Sequence, residues 1–213
     1  MAYTRGTSTN IIVGAAALFV ADTTLTPGSL TAVSATESYK TTLSTAPAAS
    51  DYTNVGYTMN GLELEFQPDF GEVKVDQILD VAKLYKQGMK VTMKTSFAEA
   101  TLENLLLSLA YAPSKLSGTK SSSAGQALDL SAGDIGECPV ERALVAVGPG
   151  TGDCADSAYV ERIYTAYRAL SIDNVMVSAK RDTATEFAVS FRLLPEDTSG
   201  SYGKIVDRTW AAA

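Results

Sequence analysis

The side chains able to do chemistry in this sequence are carboxylates, two thiols and a glycine-rich turn, with no imidazole beside them. The absence of histidine excludes Ser-His-Asp and Cys-His catalysis and every zinc site that uses a His ligand. Glu99 and Glu103 stand at i and i+4, a spacing that places both carboxylates on one helical face and suits acid–base work. In the first turns of a helix their charge is better explained by the helix dipole. Asp153, Cys154 and Asp156 are metal ligands by type, but they are too few to close a site and no calcium-loop spacing extends them. The run Gly148, Pro149, Gly150, Thr151, Gly152 invites a phosphate loop. It lacks the following Lys-Ser/Thr pair and leads into more β pattern, so it reads as a turn. Cys138 and Cys154 have neither C-x-x-C spacing nor other soft ligands, and a structural or incidental role is expected. Glu63 and Glu65 share one face of a strand, where they either keep that face wet or, if copies close into a ring, line its pore. No catalytic, cofactor or metal site is expected.

The elements that carry these residues are β-rich. Hydrophobic residues make up 46% of the 213 and charged residues 19%, enough apolar mass for one large core and less charge than the usual quarter or so. The net charge of −7 opposes tight binding to a phosphate backbone. Residues 11–21 form an apolar run behind Arg5. Phe19 stands where a signal-peptide cut after Ala21 would need a small residue, and the run is too short to span a bilayer. A buried strand at 11–20 and a cytoplasmic chain without membrane contact are expected.

Residues 1–10 are polar and predict an N-terminal arm. Residues 22–50, rich in Ser, Thr and Ala, predict a long loop. Asn60-Gly61 is a type I′ hairpin signal, because both residues tolerate positive φ. Leu62, Leu64 and Phe66 then alternate with Glu63 and Glu65, which predicts apolar-in, acidic-out. Pro68-Asp69 predicts a turn, 77–88 a polar connection, and 89–95 a strand. Ser96 to Glu99 fits a capping box. Leu102, Leu105, Leu106 and Leu109 then form a helical stripe that Pro113 ends. A loop at 114–125 precedes strand candidates at 127–130, 140–147, 159–170, 172–180 and 185–194. A polar C-terminal arm is expected over 195–213. The sum is a single domain, 1–213, mainly β: an antiparallel β-sandwich or half-barrel with one flanking α-helix.

The order of motifs over 55–109 is the most specific feature. Gly56-Tyr57-Thr58 leads through Asn60-Gly61 to the Leu-Glu-Leu-Glu-Phe strand. Then follow Pro68-Asp69, the run Val73 to Gln77, a second strand and the helix from Ala98 to Leu105. This order resembles the major tail tube proteins of long-tailed bacteriophages and the related needle proteins of contractile injection systems. Glu186 to Phe191 fits that family's final β region.

The resemblance implies a structural subunit rather than an enzyme. It implies homo-oligomeric rings, commonly hexameric, stacked into a tube that holds the tape measure protein and later conducts DNA without binding its sequence. It places the chain in the virion tail, assembled in the host bacterial cytoplasm, with no cofactor, and makes Glu63 and Glu65 candidates for an acidic lumen. Two rivals stand beside it. One is a terminator or hub subunit of the same fold. The other is a β-sandwich that binds carbohydrate or a host surface through exposed aromatics such as Tyr159, Tyr164 and Tyr167.

Overall fold

The computed structural model describes residues 10–21, 36–45, 52–133, 135–136, 138–152, 158–182 and 184–211. Its first strand, β1 (Ala17–Ala21), has no polar side chain and is buried on both faces. It lies between β2 (Tyr52–Asn54) and β7 (Arg142–Pro149), antiparallel to both. The expected strand at 11–20 therefore forms only from Ala17. Gly14, at φ 144°, brings the preceding segment across Pro149 so closely that a Cβ there would lie 2.9 Å from the proline Cγ. Ile11 and Val13 are left exposed.

The main sheet is antiparallel, in the order β2-β1-β7-β8-β9-β4-β3. It is built further from β3 (Thr58–Lys74), β4 (Val81–Phe97), β8 (Ala158–Ser171), β9 (Phe187–Leu194) and β10 (Gly203–Ala211). The long strand β8 joins two layers. Residues 158–166 pair with β10 on one side, and 161–169 pair with β7 on the other. Its last residues, Arg168 to Ser171, pair with β9 instead.

The sheet thus folds on itself. Leu18, Leu144, Ala146 and Ala166 from one layer meet Val91, Met93, Phe191 and Leu193 from the other. Phe97 and Phe191 sit in this core with ring centroids 6.4 Å apart. Each fully buried side chain of this size contributes roughly 1.5–3 kcal/mol. The opposite face of the first layer carries Phe19, Val145, Val147 and Ile163 beneath Tyr39 and Leu43 of helix α1 (Tyr39–Thr45). The architecture is a mainly β sandwich, as expected, with two helices among the described residues rather than one.

Helix α2 (Leu102–Ser108) starts later than the capping-box spacing predicts. Ser96 and Phe97 remain in β4, opposite Ala188 and Phe187 of β9, with Phe97 fully buried. Thr101 is the cap, accepting the Asn104 N–H at 3.2 Å. Asn104 is buried and donates through Nδ2 to the carbonyls of Val55 and Glu99, both at 2.9 Å. This polar anchor rotates the helix: Leu106 and Leu107 are buried, while Leu102, Leu105 and Leu109 are half-buried. The helix ends before Pro113. Ala110 adopts φ 55°, with its N–H on Leu107 O and the Tyr111 N–H on Leu106 O, the hydrogen-bond pair that closes a helix through a left-handed residue.

Five further expectations are corrected. Asn60 and Gly61, at φ 63° and 70°, form a bulge inside β3, across which the register jumps from Met59↔Ser96 to Glu63↔Lys94. Pro68 and Asp69 are strand residues opposite Met89 and Gly88, and much of 77–88 belongs to β4. Residues 172–180 form no strand, whereas 203–211, expected as an arm, form β10 along β8. Val206 of β10 packs with Ile163 against the α1 side, which fixes that segment. A small separate hairpin pairs β5 (Leu116–Gly118) with β6 (Gln126–Leu128). Arm residues 1–9 and most of the expected loop 22–50 lie outside the described residues, except for α1 and its lead-in.

Candidate functional site

The β3–β4 hairpin is built from two 17-residue strands. Near its root, Leu62, Leu64 and Met89 pack against the core. Glu63 and Glu65 point away from it, as the alternation predicts, and both are exposed. Opposite them on β4 stand Lys94 and Thr92. The Lys94 ammonium lies 2.6 Å from Glu65 Oε2, and Thr92 Oγ1 donates to the same oxygen at 3.4 Å. That lysine hydrogen bond holds the Glu65 carboxyl below its ordinary pKa and raises that of Lys94. Glu63, Lys94, Asn60 and Asp173 share an open groove on this face. The two glutamates therefore belong to a face on which lysine also stands.

Pairing between β4 and β9 stops at Val91. Beyond that residue the hairpin continues as a two-stranded ribbon. Among the described residues no strand joins the edge of β4 over 81–90, and none joins β3 on the side away from β4. The ribbon leaves Phe70 54%, Leu84 60% and Ile78 52% exposed, with Leu79 at its tip fully exposed. Isolated two-stranded ribbons are at best marginally stable in water, and contiguous exposed apolar surface marks interaction sites. One internal device stiffens it. The Tyr85 ring and Gln87 lie over Gly71, where a Cβ would come within 2.6 Å of the tyrosine ring, and Gln87 Nε2 donates to Tyr85 Oη at 3.1 Å. At the root, Leu64, Phe66, Met89, Tyr202 and Ile205 line an apolar cleft between the two layers. Tyr202 Oη donates to Met89 O at 2.7 Å and ties the lead-in to β10 onto β4.

A second anchor holds α1 on the opposite side of the molecule. Glu161 of β8 is buried; its carboxylate accepts Ser38 Oγ and the Tyr39 N–H, both at 2.8 Å. Arg208 Nε approaches the same carboxylate at 3.4 Å, and Arg208 Nη2 donates to Glu37 O at 2.8 Å. No local signal marks α1 in its Ser/Thr-rich segment, because the group that fixes it lies more than a hundred residues away.

The other singled-out residues do not converge. Glu99 precedes α2 rather than sharing its face with Glu103, and it accepts the Tyr57 N–H at 2.9 Å. Glu103 accepts Gln126 Nε2 at 2.6 Å, a bond that lowers its pKa. Gly148 and Pro149 end β7, and the Gly150 N–H bonds to Val160 O, which makes this run the start of the β7–β8 connection. Asp153, Cys154 and Asp156 lie outside the described residues; Cys138 is an exposed free thiol. Tyr167 is buried and Tyr164 packs against the core, whereas Tyr159 is exposed and stacks on Trp210 at 4.7 Å. Among the described residues no cluster of three metal-ligating side chains occurs, and no helix is long and apolar enough to cross a membrane.

No family model matches the chain, and no match is found among curated proteins.

Proposed function

We propose that this chain is a structural subunit that self-assembles into rings stacked as the tail tube of a long-tailed bacteriophage, a conduit for DNA delivery. The observation that carries this reading is the β3–β4 ribbon. It extends beyond its last third-strand contact with two open edges and exposed Phe70, Ile78, Leu79 and Leu84. Strand addition at such edges supplies many hydrogen bonds at once. A head-to-tail contact repeated by rotation closes a ring. The motif order over 55–109 supports the tail-tube assignment. In it, the Glu63/Glu65 face lines the lumen, the tape measure protein fills the tube before DNA passes, and the finished assembly resides in the virion.

Negative-stain electron microscopy of the purified protein at low and high concentration tests this. Stacked rings or hollow tubes are the expected result, and single rings that never stack point to a terminator or hub. A monomer that also fails to join a tail assembly overturns the reading. It would then favour a surface-binding module, for which exposed Tyr159, stacked on half-buried Trp210, is the natural platform.

A further inference from the structure

The two strands of the hairpin differ in charge. β3 carries Glu63, Glu65, Asp69 and Glu72 against Lys74 alone. β4 carries Lys83, Lys86, Lys90 and Lys94 and no carboxylate. The register places most of these charges on one face. Glu63 lies opposite Lys94 and Gln67 opposite Lys90; Asp69 lies opposite Gly88 and Val73 opposite Lys83. Three of the four lysines, at 83, 86 and 90, fall in the stretch of β4 that β9 does not cover. The ribbon therefore has one acidic open edge and one basic open edge.

From this we infer that the partner of the ribbon is a second copy of the same ribbon, with the acidic β3 edge of one copy against the basic β4 edge of the next. This rests on the self-assembly reading and specifies its contact. The geometry is self-consistent. Copies related by rotation about an axis along the strands keep the same strand directions. Because β3 and β4 are antiparallel within the hairpin, β3 of one copy is also antiparallel to β4 of the next, and the ladder continues unbroken. Like edges repel: β3 against β3 sets carboxylate beside carboxylate, and β4 against β4 sets lysine beside lysine, a mismatch that costs stability when charges stand directly opposite. The hairpin thus disfavours a two-fold dimer through either edge and selects the heterologous contact that leads to a ring or fibre. Around that ring, acidic and basic strands alternate, each Asp69 and Glu72 gaining a second row of lysines from its neighbour.

The test uses full-length chains and sedimentation velocity. Asp69→Lys/Glu72→Lys turns both distal carboxylates of the β3 edge into lysines; Lys83→Glu/Lys86→Glu turns two lysines of the β4 edge into carboxylates. Each alone is expected to raise the critical concentration for assembly at least about tenfold. Mixed at equal concentrations, the two should assemble near the wild-type concentration. The mixture is decisive, because charges within each hairpin stay alike and only contacts between copies become complementary. The neutral variant Asp69→Asn/Glu72→Asn covers the case in which a reversed-charge chain misfolds. It should weaken the loss of assembly that the wild type shows on raising salt toward 1 M, where screening shortens to about 3 Å. Single variants that assemble like the wild type, a mixture no better than its components, or an unchanged salt response in the neutral variant would overturn the edge pairing and leave self-assembly standing. A wild type that stays monomeric, even with a tail assembly to join, would overturn both.

Discussion

Replacing Glu161 with alanine should release α1 while leaving the sandwich folded. The buried carboxylate holds three partners: Ser38 Oγ, the Tyr39 N–H and the Arg208 guanidinium. Hydrogen bonds to a charged group contribute about 1.5–3 kcal/mol each, and removing one member of a buried pair costs about 3–5 kcal/mol. The lower figure applies, because the Arg208 side chain is 18% exposed and retains the Glu37 carbonyl. The expected loss is therefore about 3 kcal/mol, roughly a hundredfold in the opening equilibrium of α1. It should be local. Among the described residues Tyr39 and Leu43 belong to the Phe19, Val145, Val147 and Ile163 cluster, with Tyr52 beside it, and the core between the layers includes no residue of α1.

Native-state hydrogen exchange is the assay. The Thr42 amide, bonded to Ser38 O at 3.0 Å, reports on α1, and the β4–β9 ladder reports on the core. The expected result is faster exchange at Thr42 with little change at Met93 and Thr95. Glu161→Gln should fall between the two, since the amide oxygen still accepts Ser38 or Tyr39 but no longer pairs with Arg208. Unchanged exchange at Thr42 in the alanine variant would refute the anchor. Equal acceleration in both regions would refute its independence from the core.

The buried Asn104 is the corresponding anchor for α2. Asn104→Leu leaves the Val55 carbonyl without this donor and the Glu99 carbonyl with only the Thr101 N–H and should lower the unfolding free energy by about 2–3 kcal/mol, read as a shifted denaturation midpoint at constant m. Phe70→Ser combined with Leu84→Ser alters exposed ribbon positions. It should change monomer stability by less than about 1 kcal/mol while raising the concentration needed for assembly, measured by melting and sedimentation on the same samples. Glu196 accepts the Ser199 N–H at 2.6 Å, and the N–H groups of Ser199 and Thr198 hold its carboxyl at about 2. A depressed carboxylate stabilises the fold above its unfolded pKa, and the contribution disappears as pH falls through the folded value. The stability gap between wild type and Glu196→Gln should therefore be open at pH 6 and close between about 4.5 and 2, as followed by urea unfolding across that range.

The strands that read most clearly from sequence are those whose pattern runs without a break. The expected 140–147, 159–170 and 185–194 correspond to β7 (Arg142–Pro149), β8 (Ala158–Ser171) and β9 (Phe187–Leu194) within a few residues. The hairpin was harder to read because its register shifts at Met59/Glu63, Asp69/Phe70 and Val73/Lys74, and each shift resets an alternation of period two. Asn60-Gly61 has the same positive φ in a bulge as in a turn. What distinguishes the two is the strand opposite, which local spacing does not contain. Strand β10 has the composition of an arm because its Lys204, Asp207 and Thr209 are exposed, and only non-local pairing to β8 orders it. For the candidate site, the outward direction of Glu63 and Glu65 was legible. Their partner Lys94 was not, since pairing it with Glu65 required the register.

The molecule holds two kinds of apolar surface with different obligations. Leu18, Leu144, Met93 and Phe191 are buried by this chain alone. Phe70, Ile78, Leu79 and Leu84 are exposed, and they lie on a ribbon that no third strand supports among the described residues. Ordering each backbone residue costs about 1–2 kcal/mol, and a lone ribbon recovers little of it. Under the proposed assembly, the first contact between two copies must meet much of that cost. A copy that closes a ring gains two edges at once and meets it easily. Association should therefore be weak for pairs and strong for rings, so that the concentration dependence of assembly is steep. A gradual series of dimers and trimers in sedimentation profiles would be incompatible with an obligatory ribbon and would place the energetics of assembly in some other surface.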